Sequence, residues 1–154
     1  MLNRFQTEIC LRLATVNDAD LLLKLRNDTT TQMASHITST VKYSTHVQWL
    51  RILLQDPLRK LYIAEKNKIA VGSLRSVLEL GRYELSWTVA AEYRGQGIGK
   101  QMVSILANEI KAPICAELKK GNVASAKIAE FVGMKQIQKE SKGILYYQRD
   151  AIES

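Results

Sequence analysis

Apolar residues follow two periods along this chain, and the two alternate. Ile9, Leu11 and Leu13 alternate with polar neighbours over residues 8–14, which predicts an opening strand. Leu21, Leu22, Leu23 and Leu25 then mark a helix capped by Asn17 or Asp18 and ending near Arg26-Asn27-Asp28. Residues 29–40 are rich in Ser and Thr, show no period, and predict a loop or a weak helix. Val47, Leu50, Ile52 and Leu54 predict a second helix, capped by Ser44 or Thr45 and stopped by Asp56-Pro57. Residues 61–65 and 69–77 read as strands joined at Lys66-Asn67-Lys68.

The second half repeats the alternation. Leu85, Trp87 and Val89 face away from Glu84, Ser86 and Thr88 on a strand over 83–89. Ile98, Met102, Leu106 and Ile110 follow at helical spacing. Residues 113–118 form a short strand. A helix then starts near Asn122 and ends at Gly133, a C-cap glycine. Residues 134–138 and 143–149 read as closing strands. The order β-α-α-β-β-β-α-β-α-β-β predicts an α/β (mixed α+β) domain spanning 1–154, a mixed sheet of about seven strands with helices on both faces.

Between the strand over 83–89 and its helix lies Arg94-Gly95-Gln96-Gly97-Ile98-Gly99-Lys100. Glycines there permit positive φ and leave no Cβ between the amides and a ligand. The first N–H groups of the following helix lack intrahelical partners, and the helix dipole makes that end partly positive. Arg94 and Lys100 add charge, so the stretch has the chemistry of a phosphate site. Its spacing excludes two familiar versions. A dinucleotide loop needs glycine where Lys100 stands, and a P-loop needs Ser or Thr where Gln101 stands.

What remains, Arg-x-x-Gly-x-Gly on Arg94, Gly97 and Gly99, resembles the loop with which GNAT N-acetyltransferases hold the pyrophosphate of acetyl-coenzyme A. The order of elements is also similar to that family's over nearly the full length. Asn122-Val-Ala-Ser125, with Phe131-Val-Gly133-Met134 closing the helix, resembles the family's Asn-x-x-Ser…Gly-Phe segment, Met134 standing in the aromatic place. The resemblance implies acetyl-coenzyme A as co-substrate. It gives cofactor-binding roles to Gly95, Gln96, Ile98 and Lys100 along with Arg94, Gly97 and Gly99, to Asn122 and Ser125, and to a backbone N–H near Val89. Helix capping alone accounts for Asn122 equally well.

Acetyl transfer to an amine needs a neutral amine, a hydrogen bond to the thioester oxygen, and a proton for the departing thiolate. Glu84 is the candidate base, although an exposed strand glutamate is common. The family often carries a tyrosine acid seven residues after the motif asparagine, where this chain has Ala129. Tyr146 or Tyr147 is the candidate substitute; as neighbours on a strand, at most one of them faces a site, and sheet packing explains either. For the acceptor, Leu25-Arg26-Asn27-Asp28 and Thr45-His46-Val47-Gln48-Trp49-Leu50 resemble segments of acetyltransferases acting on nucleotide-linked amino sugars. Asn27, His46 and Trp49 are the candidates there. A histidine in a helix's first turn is more often a surface residue, and Trp49 equally suits a core.

Composition narrows the classes. The chain has 154 residues, 46% hydrophobic and 24% charged, which suits a soluble globular protein. Met1–Cys10 has no apolar signal-like core and no run spans a membrane, so a cytoplasmic location without a membrane partner is expected. Cys10 and Cys115 lack metal-type spacing and are expected reduced and buried, with no metal. The net charge is +7, and residues 94–149 hold ten Lys/Arg against four Asp/Glu. A basic half fits a ligand with several phosphates. Its lysines are too scattered for a nucleic-acid face. The expected protein, a monomer or homodimer, acetylates a primary amine of a small molecule, amino sugars included. Rival readings are acetylation of a protein N-terminus or lysine, with an extended peptide in a groove, and a catalytically weak coenzyme A sensor.

Overall fold

A computed structural model describes residues 8–28 and 42–153. Residues 29–40, expected as a loop or weak helix, fall outside the described residues. Strand β1 (Ile9–Leu13) leads through a short 3-10 turn (Val16–Asp18) into helix α1 (Ala19–Asn27). Helix α2 (Tyr43–Gln55) precedes three strands, β2 (Arg59–Lys66), β3 (Ile69–Glu79) and β4 (Arg82–Val89). Then come α3 (Ile98–Glu109), β5 (Ile114–Lys119), α4 (Val123–Phe131), β6 (Lys135–Ser141) and β7 (Ile144–Arg149). Every predicted strand and helix is present, in the predicted order.

Helix starts depart from expectation. Asp18 holds the N-cap position of α1 without capping it, because its carboxylate serves the turn before: it accepts from Thr15 N–H and pairs with Arg12 at 2.8 Å. Helix α2 begins at Tyr43, with Lys42 at the N-cap, so Ser44 and Thr45 lie within its first turn rather than capping it. The strands run longer than their apolar runs because tight turns join them. Asn67-Lys68 and Leu80-Gly81 both take positive φ, the pairing that lets a two-residue hairpin follow the strand twist. A leucine in that conformation gives no sequence signal, so the β3–β4 turn was not legible.

Among the described residues the sheet has seven strands, in the order β1-β2-β3-β4-β5-β7-β6. Register puts Leu74, Leu85 and Trp87 on the face packed by α3 and α4, with Met102, Val103 and Leu106 buried against them. Helices α1 and α2 cover the opposite face, where Leu22, Leu50 and Leu53 meet Leu61 and Ile63. Gly72 permits a close approach: a Cβ there would stand 2.5 Å from the Thr88 carbonyl oxygen.

One junction positions the site. β4 and β5 run parallel yet pair only at Tyr83–Ile114 and Glu84–Cys115. No later residue of β4 pairs with β5, so the strands part toward their C-terminal ends. In open α/β sheets, that is where ligands bind. Backbone parity says what lines the gap. Tyr83 N–H donates to Pro113 O on the β5 side, and Ala90 N–H donates to Val71 O on the β3 side. With a two-residue period, Leu85 N–H points toward β5 at the last pair, and the N–H groups of Trp87 and Val89 point into the gap beyond it.

Candidate active site

The glycine loop forms the end of that gap. Gly95 and Gly97 have φ of 78° and 77°, and Gly97 is the N-cap of α3. The first amide to re-enter the hydrogen-bond ladder is that of Gln101, which donates to Gly97 O. Among the described residues no acceptor meets the N–H groups of residues 95–100. Gly99 serves packing: a Cβ would meet the Ile128 Cδ1 of α4 at 2.5 Å. Lys100 is exposed, its Nζ 5.4 Å from the Phe131 ring centroid. Arg94, expected to add charge beside the loop, is engaged within the fold. Its guanidinium bonds Asp28 at 2.9 Å, tying the loop to the end of α1. Asn122 caps α4, its Oδ1 accepting from Ser125 N–H at 3.1 Å. Ala129 is fully buried, so no acid could stand there without repacking the core.

On the face shared with α1 and α2, Glu84 and Cys115 are register neighbours, as are Glu117 and Tyr146 one pair further along. They line a cleft of about 210 Å³ with Arg82, Ile137 and Gln138. Burial first, and then Glu117, push the half-buried Glu84 carboxyl above its ordinary value, against the pull of Arg75. Glu84 is therefore not the solvent-facing residue that strand position alone allows. The two tyrosines separate as parity requires. Tyr146 is half-buried on the Glu84 face, while the Tyr147 side chain is 6% exposed within the core against α3 and α4. Tyr147 thus packs in the core, although it also contributes to the lining of the Glu84 cleft, and Tyr146 is the better-exposed of the two candidates.

The N-terminal helices bring Arg26, His46 and Trp49 together. His46 is 0% exposed, so the expectation of a surface histidine fails. Its Nε2 lies 3.0 Å from Ala19 O and its Nδ1 3.2 Å from Arg26 Nη1. Since Arg26 only donates, the ring is the neutral tautomer with Nε2–H donating and Nδ1 accepting. Arg26 lies over Trp49 at 4.4 Å, and His46 stacks on the same indole at 5.5 Å. His46 therefore cannot meet an acceptor, and with Trp49 it holds Arg26 in place. Asn27 lies apart from them, lining a cleft of about 550 Å³ with Asp28, Ala90 and Tyr93. A Lys24–Glu92 pair joins two residues of its lining. Neither cysteine is buried as expected: Cys10 is exposed and Cys115 half-buried. Among the described residues no cluster is placed to hold a metal, and no helix is long and apolar enough to cross a membrane.

Comparison with known proteins decides the family. The family model described as "Acetyltransferase (GNAT) domain" matches residues 8–135. The chain belongs to the GNAT acetyltransferase family. No curated protein matches the sequence. Among solved structures, a domain from Methanocaldococcus jannaschii DSM 2661 superposes with a TM-score of 0.82 at 23% identity, covering 92% of this chain and 97% of that one. The ribosomal-protein-alanine N-acetyltransferase from Brucella melitensis gives 0.76 at 24% identity, over 92% and 99% of the two chains. The aminoglycoside acetyltransferase AAC(6')-Ib in complex with coenzyme A gives 0.79 at 18% identity, over 93% and 95%.

This GNAT acetyltransferase contains site residues that sequence reasoning missed. Glu117 acts on Glu84 from the neighbouring strand, and only the brief β4–β5 pairing brings them together. Arg75, on β3, stands opposite Ser86 with its Nε buried and unpartnered. An arginine in a strand looks like an ordinary surface position, and nothing in the sequence says that the fold desolvates it.

His46 also gives the enzyme an expected pH dependence. Burial, then the charge of Arg26, hold its pKa below the ordinary 6.5. The unfolded chain then binds the proton more readily, so stability is expected to fall as pH drops below 6.5. Glu84, shifted upward, acts with the opposite sign above pH 4.5, and Asp18 contributes only near and below its ordinary 3.8. Urea unfolding at pH 7.5 and 5.5 checks this. His46→Gln should flatten the slope, and an unchanged slope would place its origin elsewhere.

Proposed function

We propose that this acetyltransferase transfers the acetyl group of acetyl-coenzyme A to a primary amine of a small molecule by direct attack within a ternary complex. The observation that carries the reading is the row of unpartnered N–H groups at residues 95–100, continuous with the open edge of β4. Groups that lack acceptors at a helix N-terminus suit a pyrophosphate. The edge amides of Trp87 and Val89, beyond the last β4–β5 pair, suit an extended, amide-bearing arm, and the buried Trp87 indole N–H is a further donor without a partner. The donor set therefore fits coenzyme A, with Asn122 and Ser125 at the start of α4 beside the same gap. Bound there, acetyl-coenzyme A supplies an activated acyl group and a thiol leaving group.

The chain's own residues supply the rest. Glu84, with its raised pKa, takes the proton from the attacking nitrogen on its carboxylate oxygen, directly or through water. A β4 edge N–H, such as that of Val89, steadies negative charge on the acyl oxygen. Tyr146 is the better-exposed candidate to give a proton to the departing sulfur, and it faces the Glu84 side. Asn27, in the cleft between α1 and the loop, is the contact for an acceptor or the cofactor. Amino sugars are among the acceptors this arrangement suits.

A panel of amines tests the reading: amino sugars, polyamines, amino acids and N-terminal peptides, with thiol release followed. Turnover on a small amine is expected. Preference for peptides would favour the protein-acetylating alternative, and no turnover would favour a coenzyme A sensor. On the best amine, Tyr146→Phe should lower kcat at least tenfold. An unchanged kcat would assign that proton to solvent.

A further inference from the structure

The arginines of this fold are not treated alike. Arg12 pairs with Asp18 and Glu65, Arg59 with Asp56, and Arg94 with Asp28. Arg26 and Arg75 make no ion pair with a carboxylate among the described residues; Glu84 acts on Arg75 only by charge, and burial is the main influence on both cations. Arg75 shares a face of the sheet with Leu61 and Ser86, the face on which α1 and α2 pack against Leu61 and Ile63. Its Nε is buried without any hydrogen-bond partner. Arg26 reaches toward the same face from α1, braced by His46 and Trp49, and its charge and that of Arg75 oppose each other. Two desolvated like cations, one of them braced and neither ion-paired, are a costly arrangement that a bound anion would relieve.

Glu84 fixes how far that anion lies from the reacting nitrogen. Arg75 stands opposite Ser86, and Glu84 is two residues along the same strand. Such diagonal neighbours are about 7–8 Å apart on a sheet face. We propose that Arg26 and Arg75 form an anion subsite, so that the acceptor is a compact amine bearing a carboxylate or a phosphate close to its nitrogen. This rests on the reading of Glu84 as the base and narrows the acceptor class. Guanidinium groups bind either anion through charge-assisted, often bidentate hydrogen bonds, so the subsite selects charge and distance before identity.

Matched pairs of acceptors test the proposal: glucosamine 6-phosphate against glucosamine, and alanine against alaninamide. The charged member of at least one pair is expected to have a kcat/KM at least tenfold higher. The phosphate pair and the carboxylate pair tell the two anions apart. Arg75→Gln should reduce the preference at least tenfold, chiefly through KM, with Arg75→Lys retaining part of it. Arg26→Gln should act in the same direction; acetyl-coenzyme A melting curves confirm that each variant is folded. A second measurement needs no turnover. With coenzyme A saturating, so that the loop is filled, calorimetry follows binding of glucose 6-phosphate and of lactate, which carry the anions without the amine. Binding that Arg75→Gln abolishes, in an enzyme that acetylates none of the amines, would keep the subsite and sink the transfer reading. Equal kcat/KM within both pairs with no binding of either anion, or a preference that Arg75→Gln leaves intact, would overturn the subsite.

Discussion

Glu84→Gln is expected to lower kcat by roughly two to four decades, the usual contribution of a positioned general base. The amide keeps the size and the hydrogen-bonding reach of the carboxylate, so packing beside Cys115 and Glu117 persists. What it loses is the capacity to take a proton. Wild-type kcat should rise with pH through a value above the ordinary 4.5, because burial and Glu117 disfavour the charged carboxylate. That limb should vanish in the variant while acetyl-coenzyme A still raises its melting temperature. Glu117→Gln supplies a second reading: with one like charge removed, the Glu84 limb should move to lower pH. A variant at Glu84 whose rate and pH profile match the wild type would make the residue part of the sheet surface and nothing more.

The fold was legible because each element carries its own period. Leu85 and Trp87 alternate, and Ile98, Met102 and Leu106 repeat at helical spacing; both patterns survive into one core. The phosphate loop was legible for the same local reason, since its glycines and its helix start are adjacent in sequence. What was hidden depends on contacts between distant segments. Arg75 becomes a half-buried, desolvated cation only in the folded sheet, between β2 and β4. His46 becomes a brace only because Ala19 and Arg26, on another helix, meet both ring nitrogens.

Charge illustrates the limit most directly. The excess over residues 94–149 looked like a field aimed at phosphates. Yet Arg94 pairs with Asp28 and Lys120 with Glu140, while Arg149 donates to the carbonyls of Ala107, Ile110 and Ala112 at the end of α3. These three stabilise the fold in a way that a net-charge count cannot reveal. The loop itself offers backbone N–H groups, which composition does not count. Loss of those groups should be felt more than loss of a surface lysine.

Saturating acetyl-coenzyme A should therefore raise the melting temperature by roughly 5–10 °C. A ligand at a hundred times its Kd stabilises the folded state by about 2.7 kcal/mol, and a chain of this length gains about 2–4 °C per kcal/mol. Gly97→Ala should abolish that rise. Gly97 holds φ at 77°, where a side chain costs about 1–2 kcal/mol. Relaxing that strain turns the neighbouring amides away from a common point, even though the added methyl would find Gln101 no closer than 4.0 Å. Strain alone would also lower the melting temperature, so a control with the same strain is needed. Gly81 has φ of 76° in the β3–β4 turn, with nothing within 4 Å of an added Cβ. Gly81→Ala should melt earlier than the wild type but keep the full ligand-induced rise, because the loop amides are untouched. If Gly97→Ala keeps the same rise as Gly81→Ala, the amides of residues 95–100 do not hold the phosphates, and the site must lie elsewhere on the fold.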